Sequence, residues 1–223
     1  MGQALISKHQ GQFLDYFNSS AKLNSSFYLT GGTALTKYYL QHRYSEDLDF
    51  FCESDFTPQD ITPYIYKAKS KLGFVSFDFQ QSFNRNIYQL LFSNNDFLKV
   101  EFTYYPFTQI ETVKLDGNIK VDSLLDITVN KVFTISQNPR GRDYFDLYVI
   151  LNQTNWDITK LLAQARIKFD WHIDKLQFGS QLLKVTQLMD DPLVQNNSKY
   201  DLDSIRKYFK NISKKIGSEI LKK

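Results

Sequence analysis

The sequence predicts an α+β core followed by a helical C-terminal lobe, and three observations carry that prediction. Residues 27–53 read as strand, glycine turn, helix and strand. Residues 74–105 hold three runs rich in Phe, Tyr, Val and Ile, punctuated by Asn and Ser. Beyond Asp116-Gly117 every periodic segment is helical. A boundary at that turn gives a core of residues 1–117 and a lobe of residues 118–223. At 223 residues the chain can fill two such lobes without disulfides or structural metals.

A leading helix is expected from Leu5, Phe13, Leu14 and Phe17, ending at the polar Asn18-Ser-Ser20. Phe27-Tyr-Leu-Thr30 is a short run of strand formers stopped by Gly31-Gly32, and Thr33 to Gln41 follows as a helix. Asp47 to Glu53 reads as a strand, and Pro58 to Leu72 as a helix ended by Gly73. The runs Phe74 to Gln81, Asn86 to Phe92 and Phe97 to Tyr105 are expected to lie side by side as antiparallel strands. Helices are predicted over roughly residues 122–136, 142–152, 158–169, 173–188 and 202–221, with a loop over 190–198. The last helix carries Ile205, Phe209, Ile212, Ile216 and Ile220 at amphipathic spacing. Its basic residues Arg206, Lys207, Lys210, Lys214, Lys215, Lys222 and Lys223 face one acid, Glu219, so that end is either a solvated helix face or a contact for nucleic acid.

Composition narrows the chemistry. The net charge of +3 is too small to imply a polyanionic partner by itself, and 16% aromatic residues argue against disorder. Cys52 is the sole cysteine, which excludes an intramolecular disulfide and a cysteine-based zinc site and fits a reducing cytoplasm. The segment Met1 to His9 lacks the pattern of an export signal, and no apolar run is long enough to span a bilayer, so no membrane partner is expected. The three histidines, His9, His42 and His172, lack metal-ligand spacing, and no Gly-x-Ser-x-Gly elbow is present.

The chemistry gathers around residues 31–49. In a strand, residues two apart point to one face, so Asp47 and Asp49 present two carboxylates together while Leu48 and Phe50 face the core. Carboxylate and phosphate oxygens are the usual ligands of magnesium, or of manganese in its place. Gly31, Gly32 and Thr33 lie upstream, where a glycine turn opens a helix whose N–H groups can grip phosphate. Arg43 and Ser45 sit just before the two aspartates and are read with them as substrate-binding residues. The run Gly31 to Lys37 is not a P-loop, because it lacks the second glycine and has Tyr38 where Ser or Thr is required. Glu101, opposite Val100 and Phe102 in its strand, is a candidate third metal carboxylate or general base. Lys131 is a candidate cation for the triphosphate. Arg142 and Asp146, four apart on one helical face, pair with each other, read a base or orient Lys131.

Gly31-Gly-Thr-Ala-Leu35, His42-Arg-Tyr-Ser-Glu-Asp-Leu-Asp-Phe-Phe51, and Lys131 with Arg142-Asp-Tyr-Phe-Asp-Leu-Tyr148 together resemble the AbiEii family of abortive-infection nucleotidyltransferase toxins, in the same order over residues 27–150. The resemblance implies a polymerase-β-like nucleotidyltransferase core with a mixed sheet, and magnesium-dependent transfer of a nucleotide from a nucleoside triphosphate. It also implies, in many members, a toxin with a cognate antitoxin, and in some an acceptor at the 3′ end of tRNA. By position it makes Gly31 and Gly32 the phosphate turn, Asp47 and Asp49 the metal pair, Lys131 the third motif and Asp146 the last acidic position. Thr33 stands where many nucleotidyltransferases have a serine one position earlier, so its hydroxyl is displaced along the turn. Two other readings stay open at this stage. One is a catalytically silent module that binds nucleic acid or a partner, and the other is nucleotidylation of a protein hydroxyl.

Overall fold

The computed structural model describes residues 5–185, 191, 194 and 200–221, the side chains of 219–221 excepted. The predicted loop at 190–198, apart from Asp191 and Val194, lies outside the described residues, as do Lys222 and Lys223.

The chain divides into two compact units, Met1–Leu124 and Leu125–Lys223. The first begins with α1 (Lys8–Asn18), where the Ser7 hydroxyl accepts from Gln10 N and the Gln10 side chain accepts from Ser7 N. A short α2 (Ala21–Ser26) leads into β1 (Tyr28–Thr30). The helix after the glycines starts as α3 (Gly31–Leu35) and widens into a π-helical turn over Thr36–Leu40, ended by left-handed Gln41. Such widened turns recur at functional sites, and spacing alone did not predict this one. β2 (Leu48–Cys52) is followed by α4 (Pro58–Leu72), which has proline in its first turn, Asp60 accepting from Thr57 N, and left-handed Gly73 as its stop.

β3 (Ser76–Ser82), β4 (Arg85–Leu91) and β5 (Phe97–Tyr104) pair antiparallel in sequence, as expected. β6 (Lys114–Asp116) and β7 (Ile119–Val121) complete a seven-stranded mixed sheet in the order β3-β4-β5-β2-β1-β7-β6. The pairs β2·β5 and β1·β7 are parallel. Because β7 pairs with β1, residues 118–124 belong with the sheet, and the turn at Asp116-Gly117 is a hairpin rather than a lobe boundary.

One sheet face is apolar. Leu29, Leu48, Phe50, Val100, Phe102 and Tyr88 lie on it, all fully buried. Phe50 stacks on Phe102 with ring centroids 5.2 Å apart and packs against Phe17 of α1 at 4.2 Å. Burying each such ring contributes roughly 1.5–3 kcal/mol. That burial fixes the register, since a one-residue slip would turn Asp49 inward and Phe50 outward.

The second unit is helical: α5 (Leu124–Gln137), α6 (Gly141–Thr154), α7 (Ile158–Phe169), α8 (Lys175–Leu183) and α9 (Leu202–Leu221). Ile205, Phe209 and Ile216 of α9 are buried while Lys207, Lys210, Lys214 and Lys215 are exposed, as the amphipathic spacing predicts. Buried polar links hold the helices together, with Tyr144 Oη donating to Gln181 O at 2.6 Å and Lys168 meeting Asp126 at 2.7 Å.

Candidate active site

The polar face of the first unit's sheet carries the residues singled out in β2. Leu48, Phe50 and Cys52 are buried and the alternate positions are partly open, so Asp49 projects to the opposite face, with Asp47 two residues before it. Asp49 is flanked in register by Thr30 of β1 and Glu101 of β5. Parallel pairing of β2 with β5 then sets Lys99 beside Asp47, and the Lys99 ammonium lies 3.0 Å from Asp47 Oδ2.

The turn upstream is built around those side chains. Gly31 has a φ of +71°, and a Cβ there would overlap the Asp49 carboxylate. Both demands require glycine. A Cβ on Gly32 would press on the Arg43 guanidinium, 2.7 Å away, and on Ser45 Oγ, 3.0 Å away. Arg43 and Ser45 are buried, with Arg43 Nη1 donating to Tyr44 O at 2.9 Å. These two residues, read from the sequence as substrate-binding, lie against the glycine turn.

Thr33, read from the sequence as part of the phosphate turn, is drawn inward as well. It is fully buried, its hydroxyl donates to Asp47 O, and it lies 2.9 Å from Ser45 Oγ. The Gln10 amide of α1 donates to Thr33 Oγ1 at 3.2 Å and to Asp47 O at 3.3 Å. The threonine hydroxyl therefore fixes the entry into β2. Gln10 was not singled out from the sequence, because it sits on the inward face of a helix far along the chain.

Glu101, read from the sequence as a third metal ligand or general base, is buried and paired. Arg85 Nε and Nη2 donate to its two oxygens at 2.5 and 2.6 Å, and Thr103 Oγ1 donates at 2.9 Å. Burial pushes the Glu101 carboxyl up, but Arg85, Thr103 and Lys99 outweigh it and hold the group below its ordinary value. A carboxylate held ionised is a weak proton acceptor. Arg85 is pushed up in turn, first by its hydrogen bond to Glu101 and further by the charges of Asp49 and Asp47.

A divalent cation fits this donor set. Two carboxylates share one face, Gly31 lets the backbone approach Asp49 closely, and a lysine ammonium already rests against Asp47 as a stand-in cation. Among the described residues no group of three or more His, Cys, Asp or Glu side chains is arranged around one ion. Two protein carboxylates with substrate oxygens completing the shell is a usual arrangement for magnesium.

The second unit has its own cluster. Lys131 Nζ lies 2.6 Å from Asp143 Oδ1 and 2.8 Å from Asp146 Oδ2, with only 9% of the lysine side chain and none of Asp146 exposed. Burial pushes the Asp143 carboxyl up, but Lys131 and Arg140 hold it below its ordinary value. Asp146 pairs with Lys131 at 2.8 Å, while Arg142 Nε lies 3.5 Å from Asp191 Oδ2 and Arg142 N donates to that oxygen at 3.1 Å. The charge of Lys131, read from the sequence as a cation for the triphosphate, is balanced here by two carboxylates.

Comparisons with known proteins identify the fold and the family. A curated relative, the uncharacterized protein aq_aa25 of Aquifex aeolicus (strain VF5), is 30% identical over 168 residues, covering 74% of this chain and 76% of its own. The crystal structure of JHP933 from Helicobacter pylori superposes with a TM-score of 0.63 at 18% identity, over 97% of this chain and 95% of that one, so the two share a fold. The family profile described as "Nucleotidyl transferase AbiEii toxin, Type IV TA system" matches residues 12–222. The chain belongs to the AbiEii family and is a nucleotidyltransferase.

Proposed function

We propose that this protein transfers a nucleotide from a nucleoside triphosphate to an RNA acceptor, with the 3′ end of tRNA as the preferred target. It acts as a magnesium-dependent toxin of the cytoplasm opposed by a cognate antitoxin. The observation that carries the reading is the pairing of Asp47 and Asp49 on one strand face with a glycine turn whose Gly31 lies against Asp49. Magnesium, or manganese, held there would polarise the α-phosphate and offset the charge of the leaving pyrophosphate.

The chain's own residues have defined tasks. Asp47 and Asp49 supply the anionic ligands, and Gln10 and Thr33 hold Asp47 in place through its carbonyl. The backbone at Gly31-Gly32 positions phosphate. The acceptor hydroxyl attacks the α-phosphorus in line, a new P–O bond forms, the bond to the β-phosphate oxygen breaks, and the hydroxyl proton is lost to solvent. RNA is favoured over a protein acceptor because α9 exposes Lys207, Lys210, Lys214 and Lys215 along one element, a surface suited to a polyanion.

The test is transfer of label from each α-labelled nucleoside triphosphate to tRNA, with and without magnesium. Asp49→Ala should abolish transfer while leaving the circular dichroism spectrum unchanged. Undiminished transfer by this variant would overturn the assignment. Labelled protein beside unlabelled tRNA would move the acceptor to a protein hydroxyl.

A further inference from the structure

Lys99 was not singled out from the sequence, and nucleotide transfer as described above gives it no task. It stands on the polar sheet face between two carboxylates, its ammonium 3.0 Å from Asp47 Oδ2 and 3.8 Å from Glu101 Oε2. Only one of these contacts is close. Glu101 is already held by both nitrogens of Arg85, so the strong partner of Lys99 is Asp47.

Formal charges show what this does. The positive charge of Lys99 offsets that of Asp47 at 3.0 Å, as Arg85 offsets that of Glu101 at 2.5 Å. A divalent cation approaching Asp47 therefore meets a carboxylate whose charge is already offset. It must displace an ammonium to bind.

The two cations differ in how readily they can leave. Moving Arg85 would strip a buried carboxylate of two short hydrogen bonds, a costly step. Lys99 makes one close contact to a partly open carboxylate, with 28% of its own side chain and 26% of Asp47 exposed. Its four-carbon stem lets the ammonium swing without backbone movement. Once displaced, its charge stays at the mouth of the same site, where the phosphates of an incoming nucleotide would arrive.

We propose that Lys99 is a place-holding cation that occupies the Asp47 carboxylate until a divalent metal takes it, and is then handed over to the phosphates of the bound nucleotide. The inference rests on the reading that Asp47 and Asp49 hold the metal. It makes Lys99 a competitor of the metal and an ally of the nucleotide. Removing its charge should therefore move the two affinities in opposite directions, which a merely structural lysine would not do.

The experiment uses the full chain, its Lys99→Met and Lys99→Gln variants, and Asp49→Asn. Binding of manganese alone is followed by the electron paramagnetic resonance of free ion. Binding of inorganic triphosphate to manganese-saturated protein is followed by calorimetry. Both lysine variants should bind manganese about three- to tenfold tighter than wild type, the range a half-open ion pair can supply. Both should bind triphosphate more weakly by at least about threefold. Manganese affinity equal to or below wild type, or triphosphate affinity that is unchanged or raised, overturns the proposal. Asp49→Asn separates the two layers. If it binds manganese as well as wild type, the metal assignment itself fails. If it loses manganese while the lysine variants match wild type, only the place-holder fails.

Discussion

The molecule contains two lysine–carboxylate clusters built to opposite ends. On the sheet of the first unit, Lys99 meets Asp47 at 3.0 Å with about a quarter of each side chain open to solvent. In the helical unit, Lys131 lies within 2.8 Å of both Asp143 and Asp146 with almost nothing exposed. The contact chemistry is the same and the surroundings are not. An open pair is screened by water and worth little, so its lysine can exchange for another cation. A buried trio cannot lose one member without stranding a charge. Burial, more than the identity of the charged groups, separates a site that can take up a ligand from one that locks two helices.

The largest expected effect tests that separation. Lys131→Met leaves two buried aspartates without their common partner and should lower the unfolding free energy by about 3–5 kcal/mol, read from urea denaturation. Lys99→Met should change it by no more than about 1 kcal/mol. Equal losses in the two variants would erase the distinction between an exchangeable cluster and a locked one.

What the sequence could reveal follows the same line. Asp47 and Asp49 were visible because strand alternation is local, and the glycine turn because Gly31 and Gly32 adjoin a run of strand formers. Helix limits such as Pro58 to Leu72 were visible for the same reason, through a proline start and a glycine stop. Lys99 and Arg85 were not, since their partners Asp47 and Glu101 become neighbours only through strand order and register. Nothing in spacing along the chain encodes that β2 pairs with β5. The β6–β7 hairpin was missed because three-residue strands carry too little periodicity to read, and the lobe boundary moved with it. Spacing left Asp146 open to a pair with Arg142 or a contact with Lys131, and the packing of α5 on α6 sets it against Lys131.

A second pair of variants sharpens the role of the glycine turn. Gly31 and Gly73 have nearly the same left-handed backbone, with φ of +71° and +75°, but a Cβ at Gly73 meets nothing within 4 Å. Alanine at either position should cost about 1–2 kcal/mol of backbone strain. Only Gly31→Ala also presses on Asp49, so it alone should cut nucleotide transfer, by at least about tenfold, or about 1.4 kcal/mol of barrier. Equal transfer by the two variants would show that Gly31 serves the chain's path and not the site.

Acid titration compares the clusters again with a smaller expected effect. The folded protein holds both Glu101 and Asp143 below their ordinary values. A depressed carboxyl contributes stability that is fully present above its unfolded value, near 4, and is lost as pH falls through its folded value. Urea midpoints should therefore hold steady from pH 7 to about 5 and fall below about 4. Asp143→Asn should flatten that fall, since its amide does not titrate, and Asp157→Asn should flatten it far less because the Asp157 side chain is 42% exposed. An unchanged acid slope for Asp143→Asn would mean that Lys131 does not hold that carboxylate ionised.

The smallest effect belongs to the outer face of α9, where Lys215 lies 3.9 Å from Asp157 and 61% of its side chain is exposed. Such a pair is long and well solvated, so Lys215→Ala should move the unfolding free energy by no more than about 0.5 kcal/mol. Its value to the protein, if the basic face meets RNA, is electrostatic. Each lysine that neutralises a phosphate releases a counterion, so the variant should lower the slope of log affinity against log salt by up to about one. A stability loss as large as that of Lys131→Met, with an unchanged salt slope, would move α9 from a contact surface to a structural brace. The contrast between open and buried lysines would then no longer predict which of them the protein can spare.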